Sequence, residues 1–424
     1  MSTARVFCRA LAPLALALPL AAAAAELPLG TSLAGVLAYA RERNPELRMA
    51  RLEVDAATAR EVPAGALPDP MFEIELRDLS NNANPDANWS VNPANVGSTK
   101  YTLAQPLPAW GRRDARRAVA QAGADEARAK AQAAWADLAL RIKTAYARYQ
   151  AVDASLAQSR ALLDLVNRLE AAAQVRYAGG LAPQQDAIRA QVERTTLAAD
   201  VAMLEGELAT VRARLNGLLA RPADAPLAAP GETPLPPLAR LEPTALLERM
   251  LARNPGLQAD AARVRTAEFN RDAVLANRWP EFVPGMSLVQ QNSRIVEYEL
   301  RLAFNLPLQQ SARRGDEQEA LAMLDAAQAR REAALNDGRA QLAEAVAQLD
   351  AARRVETLLA GSLLPQAEVT LQSALAGYET GKVDFATVLE AQRQIRTTRL
   401  NLIKTRTEAR MRLAEIERLL GEEL

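Results

Sequence analysis

From Arg112 to Arg176 the chain contains no proline and a single glycine, Gly123. Trp135, Leu138, Ile142, Ala145, Tyr149, Val152 and Leu156 step through that stretch by threes and fours, the seam of a coiled coil. At about 1.5 Å per residue such a helix is roughly 100 Å long, whereas a compact domain of this size has a radius nearer 20 Å. It cannot be folded into a globule. The chain must form a rod or the wall of a tube. Arg313 to Ala376 reads the same way, with Leu335, Leu342 and Leu349 seven apart and a break or kink expected at Pro365. Each stretch should turn at a glycine and return, over Ala187–Leu219 and Thr387–Leu420.

The two stretches belong to a duplication. Glu42-Arg43-Asn44-Pro45-Glu46-Leu47 is echoed by Ala252-Arg253-Asn254-Pro255-Gly256-Leu257, and Tyr101-Thr-Leu-Ala-Gln-Pro-Leu-Pro by Leu300-Arg-Leu-Ala-Phe-Asn-Leu-Pro. Tyr177-Ala-Gly-Gly is echoed by Tyr378-Glu-Thr-Gly, and from Gly180 to Gly381 and from Gln191 to Gln392 the offset is the same. Landmarks in one order at near-constant spacing mark an internal repeat. The chain divides into a leader (1–25), a first repeat (26–219), a connector (220–243) and a second repeat (244–424). The connector is dense in proline, which disfavours helix and sheet alike and predicts an extended segment.

Each repeat also carries a short strand pair, at about 71–105 and about 282–304. Phe72, Ile74 and Leu76 alternate with Glu73, Glu75 and Arg77; Tyr298, Leu300 and Leu302 alternate with Glu297, Glu299 and Arg301. Period-two alternation is the strand signature. It suits a half-buried soluble sheet, or a barrel with lipid outside and water within. Four strands cannot close a barrel, but three copies supply twelve.

Composition excludes much chemistry. There is no histidine, and the only cysteine is Cys8, so Ser-His-Asp and Cys-His catalysis and imidazole or thiolate metal sites are ruled out downstream of it. No cofactor is expected, and an enzyme working through carboxylates alone has no acid pair in a pocket-like context. Fifty-one basic residues against 51 acidic ones give no reason to expect a nucleic-acid partner. Arg5 and Arg9 precede an apolar run ending at Ala23-Ala24-Ala25, the three parts of a secretory signal peptide. After Ala25 no run of about 18 apolar residues follows, so a membrane would have to be crossed by strands.

The double repeat, the Arg-Asn-Pro openings, Leu67-Pro68-Asp69-Pro70 before the first strand and the two Tyr-x-x-Gly turns followed by Ala-Gln resemble the TolC-type outer-membrane efflux channels over nearly the whole mature chain. The resemblance implies a mainly α fold with a small β part. Three copies would form a 12-stranded outer-membrane β-barrel continuous with a long periplasmic α-helical barrel. It implies an exit duct in the outer membrane of a Gram-negative cell, reaching into the periplasm. The expected partners are two further copies, outer-membrane lipid, a periplasmic adaptor and an inner-membrane RND-type pump. The Asn-Pro opening and Leu67–Pro70 most resemble members paired with heavy-metal cation exporters. Drug efflux and type I protein secretion are alternatives within the same channel type. A periplasmic adaptor, which would show one hairpin flanked by Gly-rich strands, and a coiled-coil scaffold are alternatives of another class.

Gly180 and Gly381 should supply the positive φ that reverses each helix. The resemblance places both turns at a periplasmic tip where the adaptor docks, with Tyr177, Leu181, Tyr378, Lys382 and Val383 beside the contact. It also implies an entrance narrowed by inward side chains just past the second turn, at Thr387 and Glu390. A latch is implied at Asp186, whose arginine partner position is Val383 here, with Lys382 adjacent. Around a threefold axis, converging acids would concentrate cations.

Overall fold

A computed structural model describes residues 29–80, 89–237, 241–292, 294–306 and 308–424; the leader expected at 1–25 lies outside them. Helices α1 (Leu33–Arg43), α2 (Pro45–Ala59) and α3 (Glu61–Gly65) lead into strands β1 (Met71–Arg77) and β2 (Ser98–Ala104). A long limb α4 (Arg112–Ala178) and its return α5 (Gln184–Leu218) follow. Beyond the connector come α6 (Pro243–Arg253), α7 (Pro255–Ala276), β3 (Phe282–Gln291) and β4 (Arg294–Phe304). The second hairpin comprises α8 (Gln310–Leu358), a π-helical turn (Leu359–Leu363), α9 (Leu364–Glu379) and the return α10 (Phe385–Leu420). Among the described residues no helix is long and apolar enough to cross a membrane.

α4 is a single helix of 67 residues, and its expected seam is its buried face: Leu138, Ile142, Tyr149, Val152 and Leu156 are all buried. The break expected at Pro365 is the π turn. A proline has no N–H to offer the preceding turn, and widening the helix just ahead of it relieves the ring clash. The return limbs begin a few residues earlier than expected. Pro183 precedes the first turn of α5, and Asp384 caps α10 by accepting the Thr387 N–H at 3.0 Å.

The helical run before each strand pair is broken at its Asn-Pro. Asn44 accepts the Glu46 N–H at 2.7 Å and Asn254 the Leu257 N–H at 2.9 Å, with proline at the first helical position in both. Their amides reach farther. Asn44 Nδ2 donates to the Leu218 carbonyl and Asn254 Nδ2 to that of Leu419, each at 2.8 Å. The end of α5 thereby meets the start of α2, and the end of α10 meets the start of α7.

The connector is strapped down. Tyr149 Oη donates to the Ala228 carbonyl at 2.9 Å, Arg410 Nε to that of Thr233 at 3.2 Å and Arg353 to that of Pro236 at 2.5 Å. Its own N–H groups at Ala228 and Gly231 donate to the Leu29 and Thr31 carbonyls at 3.0 and 2.8 Å. Extended it is, as its prolines demand, but α4, α8 and α10 all hold it.

The strands form one antiparallel sheet in the order β1-β2-β3-β4. Apolar clusters lie among the helices on either side of a level past the middle of α4, between Leu156 and Leu162. On the sheet side, Leu138–Leu156 packs with Leu208–Leu219, and Leu342–Ala352 with Ala409–Leu420. On the turn side, Leu162–Ala173 packs with Ala367–Tyr378 and Phe385–Ile395.

Candidate functional site: the paired turns and the sheet

Both long limbs end in the same backbone device. Gly180 and Gly381 have φ of 72° and 73°. The following N–H closes back five residues, Leu181 to the Arg176 carbonyl and Lys382 to that of Gly377, both at 2.8 Å. A Cβ on Gly180 would meet no atom within 4 Å, so the demand for glycine there is torsional.

The residues expected beside the turns divide in two. Tyr177, Leu181 and Lys382 are exposed. Val383 is half-buried against Gly377, and Tyr378 is buried with its ring 5.3 Å from that of Phe385. Burial pushes the Tyr378 phenol up, against the pull of Arg176. Its hydroxyl has no hydrogen-bond partner.

Arg176 is the residue that sequence reasoning missed. From the last turn of α4 it donates to the Tyr378 carbonyl at 2.8 Å and lays its guanidinium 4.7 Å above the Tyr378 ring. One side chain thus ties the first turn to the second. Its signal was a lone basic residue in the final helical turn, where exposed carbonyls attract cations.

Asp186 is buried in the first turn of α5. Desolvation raises its carboxyl above the ordinary value; Arg189 opposes this, Asp384 adds to it, and Arg176 opposes it again. The cations acting on it are therefore Arg189 and Arg176, while Val383 packs against Gly377 and Lys382 points to solvent. Thr387 is engaged by the Asp384 cap through its N–H and, at 2.5 Å, its hydroxyl. These bonds hold the Asp384 carboxyl below its usual range. Glu390 is exposed one turn on, next to Arg393, which is paired at 2.7 Å with the buried Glu193. Thr387 and Glu390 are three residues apart and share a helix face.

At the opposite end, register sorts the sheet into two faces. Phe72 pairs with Leu103, Leu103 with Met286 and Met286 with Leu300; Ile74, Tyr101, Leu288 and Tyr298 form the next such row. This face is bare, with Leu300 89% exposed. The other carries Glu73, Thr102, Ser287 and Glu299 in one row and Glu75, Lys100, Val289 and Glu297 in another. Lys100 pairs with Glu299, and the Thr102 and Ser287 hydroxyls lie 2.9 Å apart. Trp110 (97% exposed) and Trp279 stand where the sheet gives way to helices. Among the described residues no group of three or more His, Cys, Asp or Glu side chains could hold a metal ion.

Residues 36–221 and 246–422 match the model of a family described as outer membrane efflux protein. No curated protein matches the sequence. Among solved structures, the outer membrane protein VceC of Vibrio cholerae is similar, with a TM-score of 0.78 at 18% identity, over 92% of this chain and 96% of its own. The open-state outer membrane channel MtrE of Neisseria gonorrhoeae gives 0.74 at 17%, over 92% and 89%. CusC gives 0.68 at 19%, over 92% of each chain. At these identities the likeness is one of fold.

Proposed function

The chain belongs to the outer membrane efflux protein family, and from that premise we propose that it is the outer-membrane exit duct of a tripartite efflux pump, built from three copies around a common axis. The two-faced sheet carries the reading. A bare apolar face backed by a charged one has no use in an isolated soluble chain, where so large a patch would drive association. It fits a twelve-stranded barrel, in which three four-stranded sheets close each other's edges, with Leu300, Tyr298 and Phe72 toward lipid and Glu73, Glu299 and Lys100 toward water. Trp110 and Trp279 suit the aromatic girdle at the inner boundary of such a barrel.

On this reading the chain is a duplicated unit whose four long limbs, in three copies, wall a periplasmic tube. The paired turns are its far end. There Tyr177, Leu181 and Lys382 are placed to meet a periplasmic adaptor, and Glu390 to face the axis. Heavy-metal cations are the cargo proposed. The Asn-Pro openings and Leu67–Pro70 resemble those of metal-exporter partners, and three converging Glu390 carboxylates would favour cations. A passive duct needs no metal-ligating site, so substrate choice rests with an inner-membrane RND-type pump. A photocrosslinker at Leu181 in cells should trap an adaptor-sized partner, and removing the chain should sensitise cells to metal salts. Trapping without metal sensitivity would leave the duct and exclude the cargo; the absence of both would exclude the duct.

A further inference from the structure

The helices pack side by side in a fixed order. Toward the turns it runs α5, α4, α10 and then α8 with α9; toward the sheet it runs α2, α4, α7, α8. The strands keep the matching order β1-β2-β3-β4. Within this row α4, α7 and α10 have a neighbour on each side, whereas α2 and α5 at one end and α8 and α9 at the other have one on a single side. These end helices are nonetheless apolar on two sides. α5 buries Ala190, Leu197, Leu208 and Leu215, and its opposite side exposes Ile188, Val192, Ala199, Met203 and Gly206. No charge interrupts that second side. α2 buries Leu47 and Ala50 and exposes Met49, Leu52 and Ala56. α8 buries Leu324, Leu342 and Leu349 and exposes Ala326, Ala329, Ala333, Ala340 and Ala347, a face continued by exposed Ser362, Val369 and Ser373. A helix apolar on two sides belongs between two neighbours. Here large side chains stand at one end of the row and small ones at the other, the condition for facing helices to interdigitate.

The two ends also agree in level. Arg418 reaches Asp137 of α4 at 3.6 Å and Gln341 of α8 at 2.7 Å, and Arg176 reaches Tyr378, so the two long limbs run level. On the other flank of α4, Arg160 pairs with Glu205 of α5, and Arg141 with Glu46 of α2. Rotation about an axis along the limbs preserves these levels. It sets Met203 within a turn of Ser362, and Leu52 within a turn of Ala340, in the neighbouring copy. We infer that the edge carrying Met49, Leu52, Val192 and Met203 seats on the alanine and serine face of α8 and α9 in a second copy, as a head-to-tail seam. The inference rests on the three-copy reading and adds what the copies recognise in each other. One rotation closes sheet and helices together, because β1 and β4 lie at the same two ends. Alanines on one wall bring the helices near the close end of the usual spacing of about 8–10 Å.

Thiol pairs on the purified full chain test the seam, in a Cys8→Ser background that leaves no other thiol. The reagent is a bis-maleimide about as long as the spacing of packed helices, about 8–10 Å. It should join Met203→Cys with Ser362→Cys, and Leu52→Cys with Ala340→Cys, giving a ladder on denaturing gels that ends at three chains. Each of the four single variants should run as one chain, since a head-to-tail seam never brings a residue to its own copy. Crosslinked single variants would mean that like edges meet, and they overturn the seam. Double variants that stay single chains, while light scattering still counts three copies, overturn the seam and leave the assembly. A mass of one chain overturns the assembly and the seam with it.

Discussion

Asn254 closes two helix ends with one side chain: its Oδ1 takes the Leu257 N–H that α7 leaves unpaired, and its Nδ2 holds the Leu419 carbonyl at the end of α10. Asn44 stands in the same relation to Glu46 and Leu218. A helix end leaves donors or acceptors without partners, and stacking two ends on one carboxamide satisfies both kinds.

Replacing Asn254 by alanine should therefore cost about 1–2 kcal/mol, the upper range for loss of a cap. Aspartate should recover part of this, since it keeps the acceptor and loses the donor. Urea midpoints of the three proteins decide the matter; an aspartate midpoint equal to that of the unaltered chain would show that the amide contact contributes nothing, and one equal to that of alanine would show the same of the cap.

Gly381→Pro should cripple the second turn, because proline holds φ near −65° and the turn needs 73°. The replacement also deletes the N–H that donates to the Tyr378 carbonyl at 3.1 Å. Efflux should fall while the amount of protein in the outer membrane holds. Full resistance in a pump-dependent strain would show that this turn is not the docking end.

Acidity should act on the turns through Asp186. Its folded carboxyl titrates above the unfolded value of 3.8, so the folded state keeps the proton longer. Stability should then fall as pH rises from 3.8 through the raised value, and flatten above it. Asp384, held below 3.8, works in a separate window: its contribution is full above 3.8 and is lost as pH falls through its depressed value. Asp186→Asn should abolish the first slope and spare the second. Denaturant midpoints from acid to neutral pH would show this, and an Asp186→Asn profile identical to that of the unaltered chain would refute it.

Spin labels at Leu300 should be relaxed by oxygen dissolved in lipid, and labels at Glu299 by a water-soluble nickel chelate. Arginine at Leu300 should cost about 2–4 kcal/mol if that position lies at the bilayer midplane. The opposite accessibility pattern would mean that the charged face meets the lipid.

Glu390→Gln should weaken cation selectivity in planar-bilayer recordings and relieve block by divalent or trivalent cations. Unchanged selectivity and block would place Glu390 on the outer surface of the tube.

The long limbs, the strand pairs and the glycine turns were legible because each rests on local pattern: a 3.5-residue stripe, an alternation, a torsion only glycine adopts freely. The π turn was legible as a break at Pro365 but not as a widened helix, since only the phase between Ala352 and Ala367 in the folded chain reveals the extra residue. Arg176 and the Asn amides escaped because their partners are backbone carbonyls more than 150 residues away. A carbonyl carries no sequence mark. Of the cations near Asp186, Arg189 stands three residues on in the same helix and was open to the sequence, whereas Arg176 depends on how the end of α4 lies beside the start of α5.

The strap across the middle of the molecule has a consequence for divergence. Tyr149, Arg353 and Arg410 all address main-chain oxygens of the connector, which every amino acid provides alike. The strap can thus change most of its own letters without loosening its moorings, whereas each mooring side chain is fixed by its reach and its donor. Relatives of this chain should drift quickly between 222 and 237 and slowly at the three positions that hold it.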